Sequence, residues 1–243
     1  EEFDSGAARP LSGEGSADNG VGALFRAFPP VASGQRTFPR MADVLSGSPT
    51  PGERLPTTTG VSRRFRVIVR DGREGAGGTA TSAFATLTIP AGSAPFAVTS
   101  PAAEERVPAG SNTVTWSVGG TDFAPISCAS VTIRLSTDDG ATFPILLGTF
   151  PNAGLASVHL PGNVEAGRLR ISAEGNIFFA VSPRFAVQRC PADVNGVGGV
   201  TVEDLFEFLF AYFSHDPLAD VNGSGGVTVQ DIFDYLKAYF GGC

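Results

Sequence analysis

"CPADVNGVGGVTVEDLFEFLFAYFSHDPLADVNGSGGVTVQDIFDYLKAYFGGC", residues 190–243, says nearly the same thing twice between two cysteines. The halves align at an offset of 27, from Asp193 to Asp220: Asp193-Val194-Asn195-Gly196 matches Asp220-Val221-Asn222-Gly223, and Thr201-Val202-Glu203-Asp204 matches Thr228-Val229-Gln230-Asp231. Each half then enters an aromatic run, "LFEFLFAYF" or "IFDYLKAYF", long enough for one short helix. The repeat therefore predicts two copies of a loop followed by a helix.

The loops have the spacing that a hard cation needs. A twelve-residue calcium loop takes oxygens at its first, third, fifth and twelfth positions, a backbone carbonyl at the seventh, and Gly at the sixth for a sharp turn. The second loop supplies Asp220, Asn222, Ser224, Gly225, the Gly226 carbonyl and Asp231. The first supplies Asp193, Asn195, Gly198, the Gly199 carbonyl and Asp204, but its fifth position is Val197. Two Ca²⁺ sites are expected, the first weaker for want of that oxygen. Thr-x-x-Asp before an apolar run also fits a helix N-cap with Thr201 or Thr228 as the cap. A cap alone has no use for the Asp-x-Asn that precedes it in both halves.

Duplicated D-x-N-G-x-G loops, each followed by one helix, resemble the type I dockerin module, in the form closed by a cysteine at each end that planctomycete-like bacteria carry. The resemblance covers residues 190–243. It implies an antiparallel, EF-hand-like helix pair ordered by calcium, and a cohesin-like or cell-surface receptor as partner. Val202-Glu203 and Val229-Gln230 stand where cellulosomal dockerins carry Ser-Thr, so attachment to the producing cell is as plausible as a cellulosomal partner. Cys190 and Cys243 occupy the module's ends, and a disulfide there would contribute about 4 kcal/mol by chain-entropy reasoning. A domain of this size has little core, which makes such a staple expected in a secreted protein. Cys128 is left over and is read as a buried thiol. The two helices also carry more aromatics than a short helix pair can bury, so some must face a neighbour or a partner.

Upstream, the composition favours short strands. Gly 31 and Pro 18 among 243 residues make a turn-rich chain, and 42% hydrophobic residues are enough for cores. Residues 1–20 are polar and without periodicity, and are read as a tether or truncated edge. In residues 21–94, "RFRVIVR" sets Phe65, Val67 and Val69 against Arg64, Arg66 and Arg70, and "AFATLTI" sets Ala85, Leu87 and Ile89 against threonines, with Gly-rich "DGREGAGG" between them. A hairpin with an arginine-bearing solvent face follows. In residues 95–189, "NTVTWSV" places Val114, Trp116 and Val118 on one face, and "SVTIRLS", "RLRIS" and "FFAVSPRFAV" continue the period of two. These predict an antiparallel β-sandwich with Trp116 in its core. Ser136-Thr137-Asp138-Asp139-Gly140-Ala141-Thr142-Phe143 resembles the Asp-box of sialidase propellers; in one copy it is read as a hairpin tip, with Gly140 supplying positive φ.

The fold class expected is thus mainly β: two immunoglobulin- or fibronectin-like sandwich modules and a small all-α, calcium-binding helix pair. Whether 21–94 is a complete domain stays open. "LFRAFPP…RTFPRMADVL", "LPTTTGVSRRFRVIVRDGREGAGG", "PFAVTSP", "NTVTWSVGGTDFAPISCASVTIRLSTDDGATFP" and "GNIFFAVS" resemble the sandwich modules that follow the catalytic domain in secreted reprolysin-like zinc metallopeptidases. That resemblance implies a zinc protease ahead of Glu1, and the start at Glu rather than Met is read as that of a fragment or processed product.

Catalysis within the chain itself is not expected. A zinc peptidase needs His-Glu-x-x-His, whereas His159 and His215, the two histidines here, are each followed by a residue other than Glu. Net charge −7 with one lysine, Lys237, excludes a nucleic-acid binder, and no apolar run is long enough to span a membrane. The expectation is a non-catalytic, extracellular C-terminal region of a hydrolase, a metallopeptidase, in which the dockerin-like module mediates protein–protein anchoring. The alternatives are a carbohydrate-binding accessory region of a glycoside hydrolase or a structural cell-surface protein.

Overall fold

The computed structural model describes residues 2–3, 17–25, 36–48, 50–73, 75, 77–188, 190–196 and 200–241. The chain is mainly β with a helical tail, and divides into two compact units, 1–94 with 124–126, and 95–123 with 127–243.

The first unit contains β1 (Glu2–Phe3), α1 (Met41–Ser46), β2 (Val61–Phe65), β3 (Ile68–Arg70), β4 (Thr79–Thr81) and β5 (Ala85–Ile89). β1, β2 and β5 form one antiparallel sheet, and β3 pairs with β4. The expected hairpin is present but broken. β2 pairs Phe65 with Ala85, whereas β3 pairs Ile68 with Thr81, so the returning strand holds one extra residue between the two ladders. That is the count of a β-bulge, and beyond it the ribbon leaves the core. At the break Ser82 bonds Val67 twice: the Val67 amide donates to Ser82 Oγ at 3.0 Å, and the Ser82 amide donates to the Val67 carbonyl at 2.9 Å. Val67 and Val69, expected on the buried face, are therefore exposed, and only Phe65 of that trio packs, against Phe25 and Phe38.

Residues 1–20, read as a tether or truncated edge, are tied into the first unit at both of their described ends. Glu2 lies in β1, and its carboxylate accepts from the Phe25 amide at 2.8 Å and from the Arg63 guanidinium at 2.9 Å. Asp18 accepts from the amides of Gly20, Thr57 and Thr58 at 2.9 Å each and from Arg63. Arg63 also donates to the Gly22 carbonyl at 2.8 Å, and the side chains of all three charged residues are 2% exposed. Burial tends to raise the Asp18 carboxyl, but those three amides and the Arg63 charge outweigh it and hold it at about 2.

The second unit begins with β6 (Ala97–Ser100), β7 (Arg106–Pro108), β8 (Gly110–Ser117), β9 (Ser130–Ser136), β10 (Ile145–Pro151), β11 (Leu155–Leu160), β12 (Val164–Ala173), β13 (Phe179–Val181) and β14 (Phe185–Gln188). One sheet has the order β10-β9-β12-β14-β7, with β13 also on β12, and the other has β11-β8-β6. All pairs are antiparallel except β14 with β7. Alternation seats Val131, Ile133 and Leu135 of β9, Leu169 and Ile171 of β12, Val114 and Trp116 of β8, and Val158 and Leu160 of β11 in one core shared by both sheets.

Trp116 is a core residue, as expected, and its indole N–H donates to Asn152 Oδ1 at 3.0 Å. The Asn152 amide in turn donates to Thr121 Oγ1 at 2.9 Å and to the Cys128 carbonyl at 3.2 Å. Cys128 is a buried free thiol. The Asp-box tip joins β9 to β10: Thr142 N–H and Oγ–H donate to Asp138 at 2.9 and 2.6 Å, Gly140 N–H donates to Ser136 Oγ at 2.8 Å, and Gly140 has φ +89°.

The tail holds α2 (Val202–Phe213), a short 3-10 turn (Pro217–Ala219) and α3 (Val229–Gly241). Its core includes Phe208, Ala211, Ala219 and Tyr235, and Ala109 packs against both this core and that of the sheets. Among the described residues no helix is long and apolar enough to cross a membrane.

Candidate functional site

The two halves of the tail repeat one arrangement at the last acid of each loop and at the ring one turn beyond it. Phe208 of α2 and Tyr235 of α3 are 27 apart in number and stack directly on each other, with ring centroids at 4.0 Å and planes at 4°. Asp204, Phe208 and Ala211 are buried along one face of α2, and Asp231 and Tyr235 along one face of α3. This spacing of four and three puts the last acid of each loop one turn before the stacked ring.

Each acid is held by the same set of donors. Asp204 accepts from Thr201 N–H at 2.8 Å, Thr201 Oγ–H at 2.9 Å and Asn195 N–H at 3.2 Å. Asp231 accepts from Thr228 N–H at 2.8 Å, Thr228 Oγ–H at 3.0 Å and Asn222 N–H at 3.4 Å. Burial acts to raise both carboxyls, yet the threonine and loop amides outweigh it and hold them below the usual range. The N-cap reading is thus correct as far as it goes: Oδ2 of each acid closes the helix start, while Oδ1 ties back to the loop. Gly196 and Gly223 take φ +69° and +68°, so both loops make the same first turn.

In the second loop four of the five predicted ligands, Asp220, Asn222, Ser224 and Gly226, meet around Ser224. Ser224 N–H lies 2.9 Å from Asp220 Oδ1 and 3.0 Å from Asn222 Oδ1, and Ser224 Oγ lies 3.3 Å from the Gly226 carbonyl and 3.5 Å from Asp220 Oδ1. Gly225, at the sixth position with φ +92°, donates its amide to Asp220 Oδ2 at 2.8 Å. Two carboxylates with neutral amide, hydroxyl and carbonyl oxygens make a hard donor set whose charge balances a divalent ion, which fits calcium and not a thiophilic or imidazole-seeking metal. Among the described residues no group of three or more His, Cys, Asp and Glu gathers as a metal cluster; an ion held in this loop would need neutral oxygens for the remainder of its ligands.

In the first loop Asp193 is buried at 7% exposure and Asn195 stands beside Asp204. Val197, Gly198 and the expected carbonyl ligand Gly199 lie outside the described residues, as does Cys243. Cys190 is buried and disulfide-bonded.

One contributor escaped the sequence reading. Asp234 accepts from Asn222 Nδ2 at 3.0 Å and from Gln230 Nε2 at 3.2 Å, which turns the Asn222 carbonyl oxygen toward Ser224. Its signal was its place on α3, four residues after Gln230 and three after the loop's last ligand.

Opposite their buried faces the helices present aromatic residues. Phe206, Phe210 and Phe213 on α2 and Phe233 and Phe240 on α3 are each more than 60% exposed. Phe206 and Phe210 line a groove of about 620 Å³ with Val194, Asn195 and Leu218. His159 is exposed on β11 and His215 is exposed after α2, each on a different element from the loops. Comparison with protein-family models and with curated proteins finds no match to this chain.

Proposed function

We infer that this chain is a non-catalytic C-terminal region of a secreted hydrolase, a zinc metallopeptidase, and that residues 190–243 form a calcium-ordered, dockerin-like anchor for a cohesin-like or cell-surface receptor. The observation that carries the reading is the repetition of one hydrogen-bond pattern in both loops, together with the convergence of Asp220, Asn222, Ser224 and Gly226 oxygens in the second. Capping explains Asp204 and Asp231 but leaves that convergence without a purpose. In this reading Asp193, Asn195, Gly199 and Asp204 hold one ion and Asp220, Asn222, Ser224, Gly226 and Asp231 the other. Charge neutralisation would fix each loop against its helix and so set the spacing of the exposed aromatic faces offered to the receptor. The paired sheets around Trp116 support an immunoglobulin-like spacer ahead of the anchor.

The test is calorimetric titration of the chelator-stripped chain with calcium, alongside thermal melts. Binding should stabilise the tail by about 2.7 kcal/mol at a hundredfold excess over Kd. Asp220→Ala with Asp231→Ala should abolish the stronger site, and Asp193→Ala should affect only the weaker. A chain that takes up no calcium, with α2 and α3 folded by circular dichroism, would refute the anchor.

A further inference from the structure

The outer face of the larger sheet carries a feature that packing disfavours. Arg134 of β9 and Arg170 of β12 are directly opposite in the antiparallel register. Cross-strand neighbours have Cβ atoms about 5 Å apart, and like charges so placed destabilise a sheet. Among the described residues neither has an acidic partner within 4.0 Å, although Arg168 in the adjoining row pairs with Asp139 at 2.7 Å. Arg134 donates instead to the Phe143 and Pro144 carbonyls at 3.3 Å, and Arg170 lies 4.3 Å over the Phe179 ring with its buried Nε unbonded. The Arg134 charge and burial together lower the Arg170 pKa, burial being the larger cause.

We propose that Arg134, Arg170 and Phe179 form a binding site for an acidic polysaccharide, one whose sugar rings carry carboxylate groups. A carboxylate bound at this pair relieves their repulsion and accepts paired N–H donors from a planar fork. The Phe179 ring, already an arginine platform, offers a face to the adjoining sugar. The site lies on the face of a sheet in mid-strand, where backbone groups are consumed by the ladders, so an acidic peptide cannot add to it as a strand. Arg134 and Arg170 stand out in a chain of net charge −7, so the attraction is local and not a property of the whole surface. This site is independent of the calcium loops, and stripping calcium leaves its prediction unchanged.

The experiment is affinity electrophoresis and calorimetry of the full chain with polygalacturonate, using dextran as a neutral control, poly-L-glutamate as an acidic-peptide control and sodium sulfate as a simple anion. Polygalacturonate should bind and dextran should not. Arg134→Gln with Arg170→Gln should weaken binding at least about tenfold, while Arg184→Gln, an exposed arginine elsewhere on the unit, should leave it unchanged. The double variant removes a repulsion, so its melting temperature should equal or exceed the parent's, separating lost binding from lost fold. Three results overturn the proposal: no binding of polygalacturonate, binding indifferent to the double variant, or equal competition by poly-L-glutamate or sulfate.

Discussion

Replacing Arg63 by Leu tests whether the first unit is held by charge pairing in its interior. The side chains of Arg63, Glu2 and Asp18 are each 2% exposed, and the guanidinium joins both carboxylates and the Gly22 carbonyl. Leucine would fill much of the volume but leave two carboxylates buried without a counter-charge. Breaking a buried pair in this way costs about 3–5 kcal/mol, which in a unit of this size lowers Tm by roughly 12 °C or more. The pH dependence has a definite sign. Asp18 is held at about 2, below its ordinary 3.8, so in the parent its contribution of about 2 kcal/mol is complete above pH ~4 and is lost as pH falls through 2. In Arg63→Leu the folded-state Asp18 carboxyl rises, and its protonation below pH ~4 relieves buried charge, so the deficit of the variant must shrink on acidification. Urea unfolding by far-UV circular dichroism at pH 7 and pH 3 measures both quantities. Adding Glu2→Gln and Asp18→Asn should recover part of the loss at pH 7. A deficit under about 1 kcal/mol, or one that does not change with pH, would mean that the cluster is incidental to the fold.

Two other substitutions probe the second unit. Asn152→Ala strips the buried Trp116 N–H and the Cys128 carbonyl of a partner, and should cost about 1–3 kcal/mol by urea titration with a shifted Trp116 emission; an unchanged midpoint would show that the network is dispensable. Tyr235→Phe removes a buried hydroxyl that no acceptor among the described residues reaches, while keeping its ring on Phe208, so the melting temperature of the calcium-free chain should stay level or rise; a fall would assign that hydroxyl a structural bond.

The strands with strict alternation were legible because burial on one face is a local signal. "SVTIRLS" and "NTVTWSV" put Val131, Ile133, Leu135, Val114 and Trp116 in the core as expected. The same rule failed on "RFRVIVR", since alternation says nothing of the partner strand, and the extra residue lies on that partner, between Thr81 and Ala85. The parallel pairing of β14 with β7 was equally hidden, because register is decided by packing across the chain.

Range explains the remaining contrast. The candidate calcium ligands of the second loop lie within twelve residues, so their spacing nearly fixes their geometry, and the structure places Asp220, Asn222 and Gly226 around Ser224. Arg63 meets Glu2 across 61 residues and Asp18 across 45. Read alone, each is one more charge in a polar stretch, indistinguishable from a solvated side chain, and only the closing of β1 onto β2 reveals that all three are interior. A polar stretch without periodicity can therefore hold interior charges. The informative question is whether a buried opposite charge elsewhere in the chain lacks a partner, and an arginine that shares its strand face with apolar residues two positions away, as Arg63 does with Val61 and Phe65, is where to ask it.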